Sequence, residues 1–398
     1  LQGELYIQGQ EPDEEQLYEA TQKILRNYPH TDTPSWYSGT VSKITPYVLS
    51  QLMDTVKRDS SPGLPLHALA PTKGEIVDKH KELVIQAVLA RIDLLTSVDI
   101  LPEDPVDLVK RGFVDPVRIF VKDEPHSLNK IRQGRYRLIA SVSIVDELIE
   151  KSMFTEQNSC EIDNWLTCPS KPGIGLSLDD QTDQFWDSVE PTLSDEAEGD
   201  VTAWDFSMKE WMLKFDVEAR LKLAHASPDS VFAKLMRNQT HCFARSVFIN
   251  SSGKMFKQSI PGIMKSGSYR TSSTNSRCRV GVSYMIGSER CIAMGDDSVE
   301  QYVPDAITRY EAIGVNLKMY KQCQDSFEFC SHLFSKGKSI PLNWDKGLYR
   351  LLSNELTESN RKAILELVRQ FLDEYRHSPE LDRCKDVIAR VWPGLGKF

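Results

Sequence analysis

The sequence predicts a mixed α+β fold with more than one packed unit, and three stretches predict it. Around Met294-Gly295-Asp296-Asp297, the runs 290–293 and 298–303 have the composition of two strands joined by a tight turn, at which Gly supplies the positive φ of a hairpin tip. Residues 73–96 set Ile76, Val77, Leu83, Val84, Ala87, Val88 and Ile92 near helical spacing, the mark of a long amphipathic helix. Residues 198–219 pass from a strand-like run to a helix whose apolar stripe is Met208, Trp211, Met212, Phe215 and Ala219.

Length and composition narrow the classes. A chain of 398 residues has ample length to bury a core, as one large domain or two to three subdomains. Its net charge of −9 argues against nucleic acid bound over the whole surface but leaves room for a local basic channel. The 8 cysteines form no C-x-x-C pair and meet no His cluster, so neither a zinc site nor a disulfide framework is expected, and the thiols fit a reducing compartment. The most apolar run, 83–95, is broken by Gln86, Arg91 and Asp93, so no intrinsic membrane span is expected. No secretory leader is expected either, and Leu1 in place of Met fits a chain excised from a longer precursor or one shortened by design.

Taken in order, residues 1–35 are acidic and irregular, with one amphipathic piece at 17–25 ahead of Pro29 and Pro34. Ser60-Ser61-Pro62-Gly63-Leu64-Pro65 must be loop, since two prolines and a Gly forbid ladder pairing. After the long helix, 117–122 alternates as a strand, and 130–139 is expected to form another, with Arg135 and Arg137 on one face. Lys122, Lys130, Arg135 and Arg137 concentrate positive charge in an acidic chain, which suits an anion such as a polyphosphate. Residues 144–190 read as helix, Gly-containing loop and helix (178–189); Gly173 and Gly175 lie outside the G-x-G-x-x-G frame, so no dinucleotide fold is implied.

Two polar constellations follow. Asp200 and Asp205 are five apart and would face opposite ways on a straight strand, so the chain must turn for them to converge. Ser207 and Glu210 have the spacing of a capping box, which puts Asp200 at a strand end and Asp205 just before a helix. Farther on, the Ser266-Gly267 loop leads into a helix on which Thr271 and Asn275 share a face. Its hydroxyl-rich composition is poor for helix stability and is tolerable if that face meets the hydroxyls of a ligand.

Together and in this order, Ser60-Ser61-Pro62-Gly63, Lys122-Asp123-Glu124 through Arg137, Asp200-x4-Asp205, Ser266-Gly267-x3-Thr271-x3-Asn275 and Gly295-Asp296-Asp297 resemble the fingers and palm motifs of viral RNA-dependent RNA polymerases. The wording of 122–141 and 60–66 is most similar to the sobemovirus, polerovirus and barnavirus group, near the picornavirus-like supergroup. The resemblance spans about residues 60–335. It implies a right-hand polymerase: fingers at 1–195 and 220–260, a palm with an antiparallel sheet at 196–219 and 261–335, and a small helical thumb at 336–398. In that thumb a helix at 361–375 is apolar at Ile364, Leu367, Val368, Phe371 and Leu372.

The resemblance also implies an activity and its residues. The activity is RNA-directed RNA synthesis that replicates a positive-strand genome by the two-metal route. Asp200 and Asp296 would bridge two Mg²⁺ ions, with Asp297 assisting and Mn²⁺ as substitute. Lys122, Lys130, Arg135 and Arg137 would hold the phosphates of the NTP. Asp205 and Asn275 would sense the ribose, with Ser266, Gly267 and Thr271 positioning it. A helix at 304–313 ends at Gly314 and leads to Lys318 and Lys321, either of which would protonate pyrophosphate. Ser60, Ser61, Pro62 and Gly63, with the hairpin Phe329-Cys330-Ser331, would contact template and primer. Gly before Asp-Asp, where reverse transcriptases carry an aromatic residue, argues against that enzyme; intact spacing of every acidic motif argues against a non-catalytic scaffold. The partners implied are RNA template and product, NTPs, a genome-linked protein primer and other viral replication proteins. The implied place is the host cytoplasm, at virus-induced membrane-associated replication complexes.

Overall fold

The computed structural model describes residues 9–126, 128–176 and 178–395. The mixed α+β class is borne out. Longer elements run in the order α1 (Glu14–Asn27), α2 (Lys73–Ser97), β1 (Val117–Val121), β2 (Leu138–Ser141), α3 (Ile144–Asp163), α4 (Asp179–Val189), β3 (Glu196–Val201) and α5 (Glu210–Leu223). Then come α6 (Val231–Ala244), β4 (Val247–Asn250), β5 (Met255–Lys257), α7 (Thr271–Met285), β6 (Cys291–Met294), β7 (Asp297–Gln301), α8 (Ala306–Ala312) and β8 (Leu317–Gln322). The chain closes with β9 (Phe327–Phe329), β10 (His332–Ser335), β11 (Lys338–Pro341), α9 (Trp344–Leu352), α10 (Arg361–Glu374) and α11 (Leu381–Val391). Among the described residues no helix is long and apolar enough to cross a membrane.

The strands form three sheets. One has the order β2-β1-β4-β5, with β1 antiparallel to β2 and parallel to β4. The second has the order β6-β7-β3-β8, and every neighbouring pair in it is antiparallel. The third is β11-β10-β9, whose β9–β10 turn at Cys330-Ser331 has both residues at positive φ (51° and 59°), as a two-residue hairpin turn demands.

Helices pack these sheets into separate apolar cores. α2, α3 and α6 share the first core through Val84, Val88, Leu148, Phe154 and Phe232. α2 starts at Lys73 as expected, capped by Thr72, but His80 (φ −135°, ψ 23°) breaks its twist. The stripe is therefore rotated past that point, and Leu83, expected inside, is 49% exposed. The second core joins α1, α5 and α7 to the antiparallel sheet through Ile24, Met212, Cys278 and Ala293. α9, α10 and α11 build a core of their own, in which Ile364, Val368 and Phe371 are buried while Leu367 lies outside it.

Two local expectations fail. Residues 130–139 are not one strand: a helical turn, Leu128–Arg132, closes at Gly134 (φ 64°), and the Arg135 N–H caps it by donating to Lys130 O at 2.8 Å. Arg135 and Arg137 thus precede β2 rather than sharing one of its faces, and only the Arg137 carbonyl, accepting from Lys122 N–H at 2.8 Å, extends the ladder. The capping box is likewise absent. Ala203 takes a left-handed φ of 50°, so a helical turn (Trp204–Ser207) forms early and draws in both Asp205 and Ser207. The Ser207 hydroxyl donates to Trp204 O, and Glu210 pairs with Arg245 at 2.9 Å and Lys214 at 3.1 Å instead of capping α5.

Candidate active site

The antiparallel sheet brings the acids together. The register that sets Gly199 opposite Ser298 places Asp200 of β3 beside Asp297 of β7. Gly295 (φ 66°) forms the tip of the β6–β7 hairpin, and nothing lies within 4 Å of where its Cβ would be, so the tip stands in open space for conformational reasons alone. Behind it, the fully buried Ser276 of α7 accepts a hydrogen bond from Gly295 N–H (3.0 Å) and donates one to Ser272 O (2.8 Å). That contact pins the tip to a rigid helix. Ser276→Ala leaves this N–H without its acceptor, a loss of about 1 kcal/mol. Urea unfolding of the variant is expected to show that loss, and unchanged stability would detach Ser276 from the hairpin tip.

Burial and neighbouring charge raise the proton affinity of the two hairpin acids. Burial first, and then the charges of Asp296 and Asp200, push Asp297 up to about 6. Asp296, exposed at the tip, is raised first by loss of hydration and next by Asp200, while its own N–H and Arg137 pull the other way. Asp200 is held by Lys318, with Nζ at 2.6 Å from Oδ2, and this hydrogen bond raises the lysine. Among the described residues no three His, Cys, Asp or Glu side chains already form a cation cage. The donor set nonetheless fits a hard dication: carboxylate oxygens that repel one another at close range, with one ammonium already drawn in.

Beside them lies a polar pair. Asn275 Nδ2 donates to Asp205 Oδ1 at 2.7 Å, and its carbonyl oxygen Oδ1 is buried without a partner. Asp205 is raised chiefly by burial, relieved by Asn275 and raised again by Asp296, so the pair and the hairpin share one electrostatic environment. Thr271 donates its hydroxyl to Lys265 O and Ser268 O, both at 2.8 Å, and so braces the start of α7. Ser266 Oγ accepts from Ala140 N–H (3.0 Å), and Gly267 N–H donates to Ala140 O (3.0 Å). A Cβ on Gly267 would stand 2.4 Å from that oxygen, so only Gly lets this loop lie against β2.

Other predicted residues divide. Lys122 and Arg137 meet at Glu124, at 3.0 and 3.6 Å, whereas Lys130 and Arg135 are exposed on the turn beyond. Lys321 pairs with Glu198 at 3.3 Å, so Lys318 is the lysine that faces the acids. Pro62 and Gly63 are buried against the start of α3, where Pro62 O accepts from Ile144 N–H, which leaves Ser60 and Ser61 half-buried at the surface. The Phe329 ring is in the core against Phe185, so the turn residues Cys330 and Ser331 are what this hairpin presents. A cavity of about 280 Å³ is lined by Asp200, Asp297, Ser331 and Asn343, the residue just before α9.

A buried cation layer beneath the site has no sequence signal, because Arg277 and Arg279 look like any helical arginines. Arg277 pairs with Asp216 at 2.5 Å and with Glu161. Arg279 reaches Glu300 (3.1 Å), the Tyr310 hydroxyl (2.6 Å) and Ser298 Oγ (2.6 Å). It does so under Gly199, where a Cβ would stand 2.8 Å from its Nη2.

A model of viral RNA-directed RNA polymerases matches residues 42–342. The chain is 42% identical over 351 residues to the replicase polyprotein P2AB of Southern cowpea mosaic virus, covering 85% of this chain and 36% of that one. It is 45% identical over 308 residues to the corresponding polyprotein of Southern bean mosaic virus, covering 75% and 32%. Protein P1-P2 of Potato leafroll virus is 34% identical over 354 residues, covering 84% and 33%. The chain spans about a third of the length of the curated relatives it matches.

Proposed function

Given that this chain belongs to the viral RNA-directed RNA polymerase family, we propose that it copies an RNA template into RNA, adding NTPs to a growing 3′ end and replicating a positive-strand genome. The observation that carries this reading is the approach of Asp200, Asp296 and Asp297 from two paired strands, with the Asp205–Asn275 pair in the same electrostatic field. Asp200, Asp296 and Asp297 would hold Mg²⁺, or Mn²⁺ in its place, which when bound supplies an acidified 3′-hydroxyl and neutralises triphosphate charge.

The remaining roles belong to side chains. Lys318, kept protonated by Asp200, is placed to give a proton to the departing pyrophosphate; Lys321, engaged with Glu198, is the second candidate. Lys122 and Arg137, with Lys130 and Arg135 farther out, hold phosphate oxygens. Asp205 and Asn275 read the ribose 2′-hydroxyl, since an acceptor and a donor together match a group that is both. Ser266, Gly267 and Thr271 fix the loop that carries them. Ser60, Ser61, Pro62 and Gly63 border the template, and Phe329, Cys330 and Ser331 border the primer.

The right-hand division into fingers (1–195 and 220–260), palm (196–219 and 261–335) and thumb (336–398) is supported by the separate core of α9–α11 and by Asp200 and Asp297 lying on neighbouring strands of one antiparallel sheet. Its partners in this reading are template and product RNA, NTPs, a genome-linked protein as primer and other viral replication proteins. Its place is the membrane-associated replication complex of the host cytoplasm.

The test is elongation of a primed RNA template with Mg²⁺ and NTPs. Ribonucleotide product supports the reading, and product formed from deoxynucleotides alone replaces it with reverse transcription. Asn275→Ala is expected to narrow the preference for ribo- over deoxynucleotides by about tenfold or more, the worth of one hydrogen bond to a charged or buried partner. Unchanged discrimination would remove Asn275 from ribose sensing.

A further inference from the structure

Glu124 stands between β1 and the turn Leu128–Arg132, and its side chain is only 6% exposed. Four cations crowd it: Lys122 at 3.0 Å and Arg137 at 3.6 Å from the β1–β2 region, and Lys346 at 3.7 Å and Arg350 at 3.8 Å from α9. Lys346 and Arg350 are four apart and so share one helix face. One carboxylate cannot neutralise four cations, so the cluster carries positive charge beyond what Glu124 offsets, in a chain of net charge −9. The side chains of Arg137 and Arg350 remain 66% and 65% exposed.

This cluster borders the acids. α9 begins after Asn343, which lines the cavity shared by Asp200 and Asp297. Lys346 lies three residues along, about 4.5 Å of helical rise. From the other wall, Arg137 already acts on Asp296 and Asp205.

We propose that Lys122, Arg137, Lys346 and Arg350 form a two-walled polyphosphate site, in which α9 supplies the second wall that grips the β- and γ-phosphates of the incoming NTP. Charge sign matches the ligand, because a polyanionic triphosphate meets four cations that share a single carboxylate. Geometry matches as well: two guanidinium forks suit phosphate oxygens, and two ammonium groups add adaptable point charge. Glu124 is the positioning residue, keeping both walls in reach of each other when no phosphate is present. The proposal rests on the polymerase reading for its ligand and adds residues from the thumb to the nucleotide site.

The test compares wild type, Lys346→Ala/Arg350→Ala and Lys346→Arg/Arg350→Lys. Inorganic tripolyphosphate, titrated without RNA or divalent cation, is expected to bind the alanine variant about tenfold more weakly than wild type. In primed elongation the same variant is expected to raise the KM for NTP about tenfold with kcat within about threefold, and the charge-conserving variant is expected to restore it. Unchanged tripolyphosphate affinity and KM, with only a lower thermal midpoint, would make the cluster a structural latch and overturn the proposal. A wild-type protein that binds no tripolyphosphate overturns it too. Tripolyphosphate binding that depends on Lys346 and Arg350, in a protein that elongates no primer, would uphold the site and sink the polymerase reading.

Discussion

Asp296→Asn is expected to lower primed RNA elongation by about three orders of magnitude while leaving the fold as stable as wild type or more so. The loss follows from the proposed role: stabilising transition-state charge through a bound cation is worth several kcal/mol, and each 1.36 kcal/mol is about tenfold in rate. Retained stability follows from the structure. Asp200 raises Asp296, both of them raise Asp297, and Asn keeps the shape of Asp296 while removing one of the repelling charges. Thermal unfolding supplies an independent readout. Mg²⁺ should raise the wild-type midpoint by mass action and raise the variant's less. Equal elongation, or an equal Mg²⁺ shift, would remove Asp296 from the metal site.

Arg279→Leu is expected to destabilise the protein by about 3–5 kcal/mol, the usual effect of stripping one partner from a fully buried ion pair. Glu300 is fully buried and would keep the Tyr310 hydroxyl, at 2.8–2.9 Å, and the weakly donating Cys291 thiol, at 3.9 Å, for its charge. Replacing both members, Arg279→Leu with Glu300→Gln, should cost clearly less than Arg279→Leu alone, because no orphaned carboxylate remains. Urea unfolding of the two variants measures the difference; a double variant no more stable than the single would show that the pair is not coupled. Elongation should fall beyond what stability explains, since Arg279 lies under Gly199 and Ser298, the neighbours of Asp200 and Asp297.

What was legible in advance is local in origin. A Gly between two strand-like runs, a stripe at helical spacing and a strand-to-helix switch each depend on residues a few positions apart, and each appears in the structure. The same locality misled where a few residues decided the turn. Gly134 and Ala203, both at positive φ, started or ended helical turns that alternation and cap spacing did not announce. Those turns moved Arg135 and Arg137 off a strand and drew Asp205 into a helix.

The sequence by itself determined the candidate acids, their order and the polar helix behind them, because chemistry and spacing along the chain are written there directly. Gly295-Asp296-Asp297 was recognisable as a hairpin tip before any partner was placed beside it. Only the tertiary structure decided which side chains face one another. It chose Lys318 over Lys321 as Asp200's partner, hid Pro62, Gly63 and Phe329 in packing, and set Arg279 beneath the acids. It also gathered Lys346 and Arg350 around Glu124 from the far end of the chain. Such pairings cross long sequence separations, and burial and charge act through space, so no periodicity along the chain carries them.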